Sequence, residues 1–319
     1  MGWKIEVDPH SARLTVTSDP LPQILDGIPI RVRAVNVTID RAGFTFNPTN
    51  CSPMSITGTV MSSEGATANV STPFQATNCA VLAFKPRFTV STQGKTSKAN
   101  GASLHVQLAP AHEGPQASGG SSSNGSASSG SGSGGGEEAN IARVKVDLPK
   151  QLPSRLTTLQ KACPAATFDN NPASCPAASI VGSAVAHTPL LSNRVGGPAY
   201  FVSHGNEAFP QLVVVLQGEG ITVDLVGDTF ISKGGITSST FAHLPDVPVT
   251  SFELTLPQGK YSALAANADL CKNAKKLTMP TAFVAQNGAV LKQSTKIGVT
   301  GCPKAKKAKK KSKTKKRKR

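Results

Sequence analysis

Leu277 to Cys302, LTMPTAFVAQNGAVLKQSTKIGVTGC, reads as a β-hairpin, and an earlier segment, Met54 to Cys79, MSITGTVMSSEGATANVSTPFQATNC, repeats it without a gap. The alignment sets Gly65 on Gly288, Ala66 on Ala289, Ser71 and Thr72 on Ser294 and Thr295, and Cys79 on Cys302; Cys51 and Cys271 precede the two copies. A repeated unit outranks local reading, because one supersecondary design is being used twice. The correspondence runs upstream. Ile28-Pro29-Ile30 and then VNVTI match Val247-Pro248-Val249 and then FELTL, and Gly2 to Ile24 loosely match Gly220 to Leu244. Nothing before Met1 matches Ala139 to Gln217, so the first copy is expected to be the C-terminal half of a unit whose front is missing.

The rest of the chain has strand periodicity. Lys4 to Thr17 and Ile28 to Asp40 alternate apolar and polar residues, with turns at Asp26-Gly27 and Arg41 to Gly43 and a stop at Asn47 to Asn50. Further strands are predicted at Arg87 to Thr92, Ser103 to Leu108, Ile141 to Val146, Ile180 to Ala186, Ala199 to Ser203, Gln211 to Gln217, Ile221 to Val226, Ile236 to Phe241 and Val249 to Leu256. Leu212 to Leu216 is continuously apolar, as in a strand covered on both faces. Ser154 is the expected N-cap of one short helix through Leu156, Leu159 and Lys161. Many short strands between Gly, Pro and Asn turns predict an all-β protein of antiparallel, immunoglobulin-like sandwich units. The expected divisions are a partial unit at 1–84, a complete unit at 85–303 and a basic tail at 304–319. The complete unit carries a flexible Gly/Ser-rich insertion at 111–139. Ser118 to Gly136 is almost wholly Ser and Gly and cannot bury enough surface to fold; an overlong loop inside one domain is preferred to an interdomain linker, since loop-closure entropy grows only logarithmically with length.

The six cysteines, Cys51, Cys79, Cys163, Cys175, Cys271 and Cys302, are even in number and match no metal-ligand spacing. Pairing in sequence order is the simplest of fifteen connectivities. It closes both hairpins, worth about 3.5 kcal/mol each by loop-closure entropy, and the turn-rich loop CPAATFDNNPASC, worth about 3 kcal/mol. Reduced core thiols are the alternative. Disulfides imply an oxidising compartment, yet MGWKIEVDPH is no signal peptide and no window reaches a membrane span. An extracellular or cell-surface chain that begins inside a longer protein reconciles these.

The phrases GFTFNPTNC, FKPRFTVSTQGKTSKANGASL, LPKQLPSRLTTLQKAC, YSALAANADLC and VAQNGAV with TKIGVTGCPKAKK resemble a family of large, uncharacterised, secreted multi-domain β-rich proteins of actinobacteria that end in a Lys-rich tail. The resemblance covers almost the whole chain outside the Gly/Ser stretch, which is longer than the connection expected there. It implies export and upstream domains, and it brings no activity, ligand or catalytic residue.

Signatures of catalysis are sparse. The sequence has no G-x-S-x-G, H-E-x-x-H, Walker or G-x-G-x-x-G motif, and Gly218-Glu-Gly220 is explained by a turn. His10, His105, His112, His187, His204 and His243 are scattered, so no metal or cofactor is expected. The best catalytic grouping is Ser203-His204 with Glu207, Asp224 or Asp228; His204-Gly205-Asn206 is more simply a polar turn. Tyr200, Phe201 and Phe209 line a ligand pocket on one reading and form core on the other. Asp224 and Asp228 are too few for a calcium site. Asn36, Asn50, Asn69 and Asn124 head glycosylation triplets that Thr- and Ser-rich strands produce by chance.

The strongest feature is electrostatic. Lys304, Lys306, Lys307, Lys309, Lys310, Lys311, Lys313, Lys315, Lys316, Arg317, Lys318 and Arg319 lift the net charge from +4 to +16. Such a run is expected to stay disordered and to bind polyanions by counterion release, with no aromatic side chain to stack on bases. The sequence therefore predicts a non-enzymatic extracellular or cell-envelope structural or adhesion-type protein, attached to an anionic cell-wall polymer or membrane surface through its tail. A nucleic-acid binder using the same lysines is the alternative, and a hydrolase or ligand-binding domain around Tyr200 and His204 comes third.

Overall fold

The computed structural model describes residues 2–38, 46–110 and 138–303. The N-terminal strands are β1 (Trp3–Val7), β2 (Leu14–Ser18), β3 (Ile24–Leu25), β4 (Ile28–Pro29), β5 (Met54–Met61) and β6 (Thr67–Phe74). They form three separate two-stranded sheets, β1 with β2, β3 with β4 and β5 with β6. The remaining strands are β7 (Arg87–Gln93), β8 (Leu104–Ala109), β9 (Ile141–Asp147), β10 (Cys163–Pro164), β11 (Ile180–His187), β12 (Val195–Ser203), β13 (Gln211–Gly218), β14 (Ile221–Ile231), β15 (Thr237–Phe241), β16 (Ser251–Leu256), β17 (Thr278–Ala285) and β18 (Val290–Thr300). Three short helices accompany them: α1 (Leu156–Leu159), α2 (Ala165–Asn170) and α3 (Leu270–Asn273).

The mostly-β composition agrees with the sequence; the sandwich does not emerge. Hydrogen bonding runs β12-β11-β16-β8-β7-β18-β17-β9-β15-β14-β13 and returns from β13 to β12, closing a barrel of eleven strands. Closure leaves the ring no free edge, which periodicity along single strands cannot signal. The ring is not wholly antiparallel either, because β18 runs parallel to β7, Ile297 opposite Val90. β8 and β9, on either side of 111–137, both belong to this ring without being neighbours.

Alternation supplies the core. Val90, Leu104, Val106, Phe201, Leu212, Val214, Leu216, Leu254 and Ile297 join one buried cluster, with Leu152, Leu264, Leu270 and Leu277. The apolar run of β13 splits by parity: Leu212, Val214 and Leu216 enter that cluster, while Val213 and Val215 enter a second one with Tyr200, Val202 and Phe168. The Cys163–Cys175 loop and α2 roof this smaller core, Phe168 meeting Tyr200 edge-on at 5.4 Å. At Gly182 a β-bulge shifts the pairing of β11 with β12, and a Cβ there would lie 2.3 Å from the Thr255 carbonyl oxygen.

Ser154 does not cap α1. It is buried, its backbone N–H donates to Thr237 Oγ1 at 3.0 Å, and Arg155 takes the cap position without a side-chain bond. Arg155 instead reaches back to the carbonyls of Ala99, Gly259 and Lys260.

The two hairpins identified in the sequence share their geometry residue for residue. Thr57 pairs with Ser71 and Pro280 with Ser294 in the same register. Gly65 donates to Ser62 and Gly288 to Ala285, both glycines at φ 84. Asn78 and Gly301, each preceding the second cysteine, are left-handed at φ 65 and 70. Disulfides Cys51–Cys79 and Cys271–Cys302 close them. Their surroundings differ. β17 and β18 are flanked by β9 and β7, whereas among the described strands β5 and β6 pair only with each other. Among described residues up to Val81, only Thr49 and Cys79 are buried. The strand expected over residues 28–40 is reduced to Ile28–Pro29; residues 30–38 are irregular and 39–40 lie outside the described residues. Its counterpart β16 is held between β11 and β8, and among the described residues no such neighbours flank this segment.

One carboxylate ties this N-terminal segment to the barrel. Asp246 accepts from the backbone N–H groups of Thr49 and Asn50, the Thr49 hydroxyl, and the side-chain amides of Asn50 and Asn140. Asn287 adds bonds to the carbonyls of Cys79 and Leu82.

Candidate functional site

The twelve cations from Lys304 to Arg319 lie outside the described residues. What precedes them is described. β18 ends two residues before Cys302, and its outward positions carry Lys292 and Lys296, both exposed. Ala282 of β17 pairs with Lys292 on one side and Lys145 of β9 on the other, so two lysines share one cross-strand row about 10 Å apart. The next row places Arg143 opposite Val284. Arg143, Lys145, Lys292 and Lys296 thus project from one outer face of β9, β17 and β18, with Asp147 3.6 Å from the Lys145 ammonium as the acid among them. Sequence reading missed this patch, since Arg143 and Lys292 are brought together only by β17 inserting between β9 and β18.

All six cysteines are paired in sequence order, Cys51 with Cys79, Cys163 with Cys175 and Cys271 with Cys302. Gly94 is what the last of these requires. A Cβ on Gly94 would lie 2.3 Å from Cys271 Sγ and 2.8 Å from Cys302 Sγ.

Ser203, His204 and Glu207 do meet, as a turn. Glu207 accepts from the backbone N–H of His204 at 2.7 Å and of Asn206 at 3.2 Å, and Gly205 takes φ 81. Desolvation pushes the Glu207 carboxyl up, but the N–H groups of His204, Glu207 and Asn206 and the Ser203 hydroxyl outweigh it and hold it below the usual carboxylate range. The His204 side chain is exposed and makes no hydrogen bond to a carboxylate, so the base is neither oriented nor coupled to Ser203. Asp224 and Asp228 do not join this turn: Asp228 accepts from Gln211, and Asp224 sits beyond β13.

The aromatic residues are core. Tyr200 and Phe201 are buried on opposite faces of β12, and Phe209 packs against the main cluster. Burial raises the Tyr200 phenol. His105 and His187 bond to the hydroxyls of Thr255 and Thr250. Among the described residues no group of three or more His, Cys, Asp or Glu side chains is arranged to hold a metal, and no helix is long and apolar enough to cross a membrane. Of the glycosylation triplets, Asn50 is committed to Asp246, and Asn69 accepts from Thr59 at 3.0 Å on the exposed hairpin.

A shallow groove opens at one end of the barrel among Thr92, Gln93, His105, Pro257 and Gln258. Its polar groups are largely spent internally. The Thr92 hydroxyl donates to the Ser103 carbonyl, and the Gln258 amide donates to the Lys95 carbonyl. Comparison with family models, curated proteins and solved structures returned no match.

Proposed function

We propose that this chain is a non-catalytic extracellular or cell-envelope module, a disulfide-tied β-barrel that presents cations to anionic surface polymers. The observation that carries the reading is the basic face of β9, β17 and β18, whose last strand runs directly toward the twelve cations from Lys304 to Arg319. Three disulfides and no free cysteine support an oxidising location. The resemblance to exported actinobacterial β proteins points the same way. Attraction by this surface is unspecific and salt-dependent, as clustered lysines without interleaved aromatics provide charge and no shape. The matched hairpins support a further reading, that residues 2–84 and 85–303 use one design twice.

Removing residues 304–319 tests the proposal. Binding to teichoic-acid-type polymer or to anionic vesicles should fall steeply with the deletion and with added salt, while the melting temperature stays put. Binding that survives both the deletion and charge reversal of Lys145 and Lys292 would sink the assignment. Tighter binding to duplex DNA than to wall polymer at equal salt would favour the nucleic-acid reading.

A further inference from the structure

Among the described residues the β5–β6 hairpin is a two-stranded sheet with no further strand on either side. Cross-strand partners put Ile56 beside Thr72, Gly58 beside Val70 and Val60 beside Ala68, with Met54 and Phe74 at the open end, on one face. The matching positions in β17 are Met279, Thr281 and Phe283, all buried in the barrel. In β5–β6 the same face is in solvent: Ile56 is 68% exposed, Val60 58%, Val70 52% and Phe74 41%. Among the described residues, eighteen of the twenty-six large apolar side chains that are exposed lie at or before Val81. An isolated hairpin is at best marginally stable, and three or more strands are needed for a sheet to hold.

The free edges are not equivalent. Ser62 donates to the Ala66 carbonyl at 2.8 Å, which fixes the alternation of the ladder. Even-numbered residues of β5 bond to β6. Ser55, Thr57, Thr59 and Met61 therefore aim their N–H and C=O groups outward. On β6 the outward positions include Pro73, which has no N–H to give, so that edge is blunted. β5 carries no proline and no charge, the two devices that ordinarily protect an exposed edge. The corresponding edge of β17 is paired with β9 from Thr281 to Ala285.

We propose that β5 is the pairing edge of a homodimer, β5 of one copy lying antiparallel to β5 of a second about a two-fold axis at Gly58. This register sets Ile56 opposite Val60 of the partner copy twice, and Thr57 opposite Thr59 twice. Apolar then meets apolar on one face and hydroxyl meets hydroxyl on the other. Two marginal hairpins become one four-stranded sheet, and the interface is isologous, as a closed dimer requires.

Sedimentation velocity on the full chain across micromolar concentrations is the test. The wild type should form dimers. The double variant Thr57→Pro, Thr59→Pro removes two outward N–H groups while leaving the β5–β6 ladder intact, and should weaken association more than about 100-fold. Thr59→Lys should do the same without a proline, by setting an ammonium against Thr57 of the partner copy and bringing the two lysines to diagonal positions on one face. Ser71→Lys, outward on β6, should leave the dimer unchanged. A monomer at all concentrations, or a dimer indifferent to the β5 variants, would overturn the proposal. So would a monomeric chain whose β5 amides become protected by a synthetic peptide of the β9 sequence, which would assign the edge to a strand from a different polypeptide.

Discussion

Gly94 and Asp224 show how much a single position fixes in this fold. With a sulfur atom 2.3 Å from where its Cβ would be, Gly94→Ala should destabilise the barrel by about 2 kcal/mol through overpacking. The loss should shrink in a chain lacking Cys271 and Cys302, because the clash is with the bridge; equal losses in a double-mutant cycle would refute that. Asp224 is the reverse case, a charge held where it is unwelcome. Burial pushes its carboxyl up; the His10 imidazole opposes this and the Asp169 carboxylate reinforces it. Its buried Oδ1 has no hydrogen-bond partner. An acid whose pKa rises on folding favours the folded state below its ordinary value near 4, and that contribution is lost as pH rises through the folded pKa. Asp224→Asn should therefore melt higher than the wild type at pH 7, by about 1 kcal/mol, and alike at pH 3. A wild-type advantage at pH 7 would show that the ionised carboxylate is satisfied.

At the scale of elements, the two hairpins separate what a sequence repeat specifies from what it leaves open. Register, turn, left-handed residues and disulfide are local and recur in both copies; neighbours are not local and differ. The Cys271–Cys302 bridge joins α3 to the end of β18 inside the barrel assembly, whereas Cys51–Cys79 closes a hairpin that packs on little. Replacing Cys271 and Cys302 by serine should lower the unfolding free energy of the barrel by about 3 kcal/mol, with the corresponding change at Cys51 and Cys79 leaving the barrel's melting nearly unaltered. Equal effects would mean that the N-terminal unit and the barrel unfold as one. Asp246 is the link to examine in that event. Asp246→Ala strands five donors and should cost about 3 kcal/mol of whatever coupling exists, read out as faster proteolysis near Thr49.

For the whole molecule, stability resides in the closed ring and exposed apolar surface in the segment before it. Strands β8 and β9 belong to the same ring although 111–137 separate them. Deleting Ser118 to Gly136 should then leave the melting temperature within a few degrees, since shortening a long connection changes closure entropy by only about 0.6 kcal/mol per halving. Unfolding on that deletion would make the stretch structural.

Most strand positions, the matching geometry of the two hairpins and the cysteine pairing were legible in the sequence because each rests on a local period or a short loop; the strand expected over residues 28–40 was not, for its alternation found no neighbouring strand among the described residues. The two-sided burial of Leu212 to Leu216 was legible too, as an unbroken apolar run. The small helix at Ala165–Asn170 was not, since its loop reads as turns and only packing over Tyr200 holds it. Barrel closure, the parallel contact of β18 with β7 and the basic face shared by Arg143, Lys145, Lys292 and Lys296 were decided by tertiary structure alone. Each depends on which strand lies beside which, and hydrogen bonds between strands distant in sequence leave no mark on the periodicity of either strand.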